Sequence, residues 1–132
     1  MSNHLLKGKR GIIFGALNNQ SIAWKVAERA HEEGATFVLT NAPIAMRMGE
    51  INGLAEKTNS KIVPADATSV EELTHLFTES QQILGGKIDF VLHSIGMSVN
   101  IRKKIAYPEL NYDYYAKGVD VSAMSLHKML SV

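Results

Sequence analysis

The residues best placed to do chemistry stand where short apolar runs give way to turns. Gly11-Ile12-Ile13-Phe14-Gly15 is such a run, and the turn after it is Gly15-Ala16-Leu17-Asn18-Asn19-Gln20-Ser21-Ile22-Ala23. A turn from a strand into a helix offers backbone N–H groups and the positive end of the helix, and both suit a phosphate. Ser21 stands at the helix start, where its hydroxyl either donates to a phosphate or caps the helix. Gly15 is either the close-approach residue of such a site or an ordinary tight turn. The glycine-rich G-x-G-x-x-G spacing is absent.

Two later run ends add to this turn. Asp66 precedes Ala67 at the end of the third run, where a short carboxylate accepts from an adenine amino group or else caps the loop. His93-Ser94-Ile95-Gly96 closes the fourth run with small residues, which let a flat ligand pass close to the backbone. The second run ends in Thr40-Asn41-Ala42, without the acid that holds adenosine ribose hydroxyls in many dinucleotide folds. No basic pair follows it to meet a 2′-phosphate, which favours NADH over NADPH. Arg47, within the next helix, is the side chain that can reverse this preference.

Composition excludes other chemistries. The chain has 132 residues, 45% hydrophobic and 20% charged, enough for one core and too few for two. A formal charge of +1 gives no reason to expect nucleic acid as a partner. With no cysteine there is no disulfide framework, thiolate metal site or cysteine nucleophile. His4, His31, His75, His93 and His127 include no pair at zinc-site spacing, so no metal is expected. Residues 1–10 lack the apolar core of a signal peptide, and no apolar run approaches the roughly 20 residues that span a bilayer, so the expected location is the cytoplasm.

The elements that must hold these residues alternate. Strands are expected over Gly11–Gly15, Thr36–Thr40, Lys61–Ala65 and Ile88–Ile95. The first helix carries the stripe Ile22, Ala23, Val26, Ala27 and Ala30 and stops at Gly34. The second runs from about Pro43 with the stripe Ile44, Met48, Ile51, Leu54 and Ala55, and ends at Asn59-Ser60. Ser69-Val70-Glu71-Glu72 has capping-box spacing and starts the third helix, whose apolar face is Leu73, Leu76, Phe77 and Leu84. A loop covers Gly96 to about Leu110, and Tyr112, Tyr115, Val119, Ala123, Leu126 and Leu130 then form the stripe of a fourth helix. Four strand–helix units predict an α/β, doubly wound parallel sheet with right-handed crossovers. Pro64 cannot donate to a ladder, which places that residue at a sheet edge or a strand end. If the order is 3-2-1-4, the apolar fourth strand has no outer partner in this chain. Residues 1–132 are therefore expected to be the front half of a larger domain, its sheet continuing in residues absent here.

The turn from Gly15 to Ala23 with its Ser21-Ile22-Ala23, the Asp66-Ala67 pair and His93-Ser94-Ile95-Gly96, in this order and spacing, resemble the bacterial NADH-dependent enoyl-[acyl-carrier-protein] reductases. These are divergent members of the short-chain dehydrogenase/reductase class with a Rossmann-type fold. The likeness runs from about Leu6 to Leu130. It implies reduction of the trans-2 double bond of an acyl thioester in fatty-acid elongation, with NAD as cofactor, acyl carrier protein as partner and a homotetramer as the intact assembly. It places Gly15, Ser21 and Ile22 at the pyrophosphate and ribose, Asp66 and Ala67 at the adenine, Ser94, Ile95 and Gly96 at the nicotinamide ribose, and Val121 against the cofactor.

The family's catalytic tyrosine and following lysine lie on a later helix, and no catalytic residue is expected within this chain. Tyr107, Tyr112, Tyr114 and Tyr115 lack a lysine at the family interval and are expected to pack. The 132-residue chain alone is expected to be inactive. Arg102-Lys103-Lys104 is a basic cluster that either steers an acidic carrier protein or decorates a solvated loop. Two rival functions share the fold: another short-chain dehydrogenase, acting on a hydroxyl or ketone, and a module that binds a dinucleotide without chemistry.

Overall fold

A computed structural model of the chain describes residues 2–132. Four parallel strands, β1 (Arg10–Phe14), β2 (Thr36–Thr40), β3 (Lys61–Ile62) and β4 (Phe90–His93), form one sheet in the order β3-β2-β1-β4. Helices α1 (Ile22–Glu32), α2 (Ile51–Thr58) and α3 (Val70–Leu84) make the connections. After β4 come a short α4 (Val99–Arg102), a 3₁₀ turn at Tyr107–Glu109, α5 (Tyr112–Val119), a π turn at Asp120–Met124 and α6 (Ser125–Ser131).

The unbroken apolar runs of β1 and β2 follow from burial on both faces, since successive strand residues point to opposite sides. Ile13, Phe37 and Leu39 pack with Ala23, Ala27 and Ala30 of α1 and with Ile51 and Leu54 of α2. Ile12, Phe14 and Val38 pack with Leu73 and Leu76 of α3 and Met129 of α6. Truncating a fully buried leucine such as Leu54 or Leu73 to alanine costs about 2–5 kcal/mol.

Pro64 does stand at an edge. β3 is short, yet its ladder continues past Ile62 through Val63 N–H to the Leu39 carbonyl and Ala65 N–H to the Asn41 carbonyl, so Pro64 lacks an N–H only on the open side. Ser69 caps α3 as its spacing predicts, accepting from Glu72 N–H at 3.2 Å, and Gly85 at φ 78° ends the helix.

Three expected stripes differ. On α1 the buried residues are Ala23, Ala27 and Ala30, while Ile22 and Val26 face outward, because small side chains let the helix lie close on the sheet. The second helix is split: a 3₁₀ turn at Ala45–Met48 ends at Gly49, whose φ of 73° no helix continues, and Ile44 and Met48 are exposed. The stripe from Tyr112 to Leu130 is exposed as well, with Tyr112 at 85% and Leu130 at 68%, and the face turned to the core carries Ser125 and Met129. Helical spacing shows that a face is apolar without showing which neighbour covers it. Tyr107 and Tyr115 also lie at the surface, and Tyr114 is half-buried beneath the Lys103 ammonium, 5.0 Å from its ring centre, so the tyrosines do not pack in the core. β4 is half-buried throughout, having β1 as its one neighbour among the described residues. No helix among the described residues is long and apolar enough to cross a membrane.

Candidate functional site

All four strands point the same way, and the strand after β1 in the chain lies on one side of it while β4 lies on the other. Open parallel sheets have their crevice at such a reversal, outside the carboxyl ends of the strands. The turn from β1 into α1 forms its floor. Gly15 has φ 97°, and a Cβ built on it would stand 1.9 Å from the Ser94 carbonyl oxygen, so neither the backbone angle nor the space admits another residue.

Ser21 sits at the N-cap of α1 with extended backbone angles, but its hydroxyl does not cap the helix. It turns back into the loop and accepts from Leu17 N–H at 3.0 Å and Asn18 N–H at 3.1 Å. A serine hydroxyl has two acceptor positions and one proton, so the two amides leave the O–H free to donate. The first amides of α1 meanwhile have no intrahelical partner, as at every helix start.

Asp66 follows β3. Its Oδ1 accepts from Thr68 N–H at 2.9 Å and from Thr68 Oγ1 at 2.7 Å, a local turn that leaves Oδ2 available. These bonds, the backbone one first, hold its carboxyl below the usual aspartate range, with Lys117 and Lys128 adding to the effect and partial burial opposing it. Lys128 Nζ bonds the Thr68 carbonyl at 3.0 Å and Asp120 Oδ1 at 2.6 Å, tying this loop to the helical segment opposite.

These walls enclose a cavity of about 550 Å³. Gly15, Asp66, Ala67, Ser94, Ile95, Gly96 and Val121, all expected from the sequence, line it together. Ser21 and Ile22 do not: they border a shallower groove with Leu6, Val26 and Arg29, and the Ile22 side chain is 76% exposed.

Sequence reasoning missed several lining residues. Leu17 and the segment Asn41–Ala45 form one side of the cavity. Arg102 and Lys117 also line it and, with Asp66, make its ionisable lining net positive by one. Arg102, the last residue of α4, is exposed and reaches the cavity from its rim, whereas the next residue, Lys103, bonds Tyr114 Oη at 3.1 Å. The signal for Lys117 was its place four residues before Val121, on the same helical face.

The fold and its cavity thus define a Rossmann-type α/β chain with a phosphate-compatible crevice at the reversal point. Residues 15–132 match the family described as Enoyl-(Acyl carrier protein) reductase, and the chain belongs to that family. It is 33% identical over 127 residues to the Enoyl-[acyl-carrier-protein] reductase [NADH] FabI of Rickettsia bellii, covering 96% of this chain and 48% of that protein. Among solved structures it is similar to the FabI–NADH complex from Alistipes finegoldii, with TM-score 0.94, 61% identity, and coverage of 97% of this chain and 45% of the other. The Bacillus cereus enoyl-acyl carrier protein reductase with NADP⁺ and an indole naphthyridinone gives TM-score 0.85 and 30% identity, covering 96% and 50%. The chain spans about half the length of the curated relatives it matches.

Proposed function

We propose that this chain is the cofactor-binding half of an NADH-dependent enoyl-[acyl-carrier-protein] reductase that works in the cytoplasm in fatty-acid elongation. The observation that carries the reading is the convergence of Gly15, Asp66, Ala67, Ser94–Gly96 and Val121 on one cavity at the strand ends. The cavity residues fit a dinucleotide, since the glycine floor leaves room at the backbone and Asp66 Oδ2 is free to accept, and Ser21, outside the cavity on the β1–α1 turn, keeps a proton to donate.

In this reading the first amides of α1 and the Ser21 hydroxyl meet the pyrophosphate, and Asp66 with Ala67 meets the adenine. Ser94, Ile95, Gly96 and Val121 hold the nicotinamide ribose. Arg102 and Lys117 supply the positive side chains that the β1–α1 turn lacks. Bound NADH supplies the hydride, and no residue of this chain acts on the substrate: the groups that stabilise the enolate belong to the sheet's continuation beyond β4. The end of β2, Thr40-Asn41-Ala42, has no basic pair after it to meet a 2′-phosphate, which supports NADH over NADPH. The exposed stripe from Tyr112 to Leu130 supports assembly with further copies into a homotetramer.

The test is a spectrophotometric assay of the intact protein that carries this chain. Oxidation of NADH with a trans-2-enoyl thioester is expected. Turnover of a β-ketoacyl thioester and none of the enoyl thioester would hand the protein to another branch of the short-chain dehydrogenases. Binding without turnover of either would make it a non-catalytic module.

A further inference from the structure

We propose that His93 and Ser125 are positioning residues that lock the π turn Asp120–Met124 and so hold Val121 against the bound dinucleotide. The proposal rests on the dinucleotide reading of the cavity and names what fixes its helical wall.

The helical segment from Tyr112 to Ser131 is interrupted by one π turn, and Val121 lies inside it. A π turn widens the backbone ring by one residue and is rare outside functional sites, so contacts from outside the helix must favour it over regular winding. His93 supplies the first, through Ser125. Ser125 is fully buried, and its Oγ donates to the Val121 carbonyl one turn back at 2.7 Å. That uses the hydroxyl's one proton, so in the 2.8 Å contact with His93 Nε2 the imidazole N–H donates to Oγ.

Ser122 supplies the second contact from the other side. Its Oγ accepts from Met97 N–H at 3.0 Å and donates to the Met97 carbonyl at 3.3 Å. Both serines follow Val121 within the same stretch of helix, and their partners, His93 and Met97, flank Ser94-Ile95-Gly96. Both segments face the cavity. Gly118, one turn earlier, lets the helix approach: a Cβ there would be 3.0 Å from the Met97 carbonyl oxygen. Loss of the His93 bond lets the Ser125 hydroxyl turn away from the Val121 carbonyl and the wall rewind, moving Val121 relative to the strand end.

The experiment measures NADH affinity by fluorescence titration and thermal stability of the intact protein, well below its melting temperature. Ser125→Ala and His93→Leu are expected to weaken NADH binding roughly tenfold, the size of one or two lost hydrogen bonds. His93→Gln, whose Nε2 amide can donate from a similar place, is expected to recover most of the affinity. Ser122→Ala, at an exposed position that folding tolerates, gives the same direction more weakly and serves if the buried variants do not fold. Wild type that binds NADH, with variants that bind it equally well, overturns the positioning role alone. Equal loss in His93→Gln and His93→Leu also overturns it. Wild type that fails to bind NADH overturns the dinucleotide reading and this proposal with it.

Discussion

Gly15 and Ser94 approach so closely across the ends of β1 and β4 that a methyl group on Gly15 would stand 1.9 Å from the Ser94 carbonyl oxygen. The contact joins the turn beneath α1 to the strand end that lines the cavity. Any side chain at position 15 must either push β4 outward or close the crevice. Gly15→Ala also forces a φ of 97° on a residue with a Cβ, a strain of about 1–3 kcal/mol before the clash is counted. The expected outcome is a lower melting temperature together with loss of measurable NADH binding. Retained affinity at any stability would show that this approach does not shape the site.

Asp66 has two tasks that one substitution separates. Its Oδ1 holds Thr68, while Oδ2 is the acceptor proposed for the adenine amino group. Asn keeps an oxygen for Thr68 and replaces the other by a donor. Asp66→Asn is therefore expected to lower the melting temperature less than Asp66→Ala and to weaken NADH binding by about 1–3 kcal/mol, fivefold or more, because two donors then face each other. Asp66→Ala should lose both properties. An Asn variant with lowered stability and full affinity would leave Asp66 as a loop cap only.

Arg102 and Lys117 predict a salt dependence. Dinucleotide phosphates in a cavity whose ionisable lining is net positive bind less tightly as ionic strength rises, since partly exposed charges are screened over about 8–10 Å. Neutralising either residue as Arg102→Gln or Lys117→Gln is expected to cost about 1 kcal/mol, roughly fivefold in Kd, and to flatten the dependence on salt. Titrations across a range of sodium chloride concentrations read both effects. A wild-type Kd indifferent to salt would remove the two cations from the site.

The architecture was legible because its signals are local and redundant. Continuous apolar runs at β1 and β2, the glycines after helices and the missing N–H of Pro64 each carry a backbone consequence that little else can override. The strand ends were legible for the same reason, since a parallel sheet brings Gly15, Asp66 and Ser94 to one edge whatever their side chains do. What was not legible depends on contacts between distant residues. The sequence has no mark of the π turn, which Ser122 and Ser125 hold through Met97 and His93. Ile22 matched a helical stripe and still faces outward, because the alanines beside it fill the narrow gap to the sheet. Arg102 reaches the cavity rim from the end of α4, a helix too short for periodicity to show.

Glu33 links the N-terminal segment to α1 and gives the fold an acid-sensitive joint. Its carboxylate is buried, accepts from Asn3 N–H at 3.0 Å and Leu5 N–H at 3.1 Å, and pairs with Arg29. The Leu5 amide above all, then the Asn3 amide and the Arg29 charge, hold its pKa below the ordinary glutamate value against the opposing effect of burial. A carboxyl whose folded pKa is depressed stabilises the protein fully above the unfolded value of about 4.3, and that contribution is lost as pH falls through the lower folded value. Glu33→Gln keeps the shape and removes the charge, so its melting temperature is expected to lie below that of the wild type at pH 7. The gap should narrow as the buffer is taken from pH 5 towards pH 3, where the wild-type carboxyl becomes protonated too. Melting curves of both proteins over this range decide the matter. A gap that stays constant with pH would mean that the Glu33 bonds hold the N-terminal segment without any contribution from its charge.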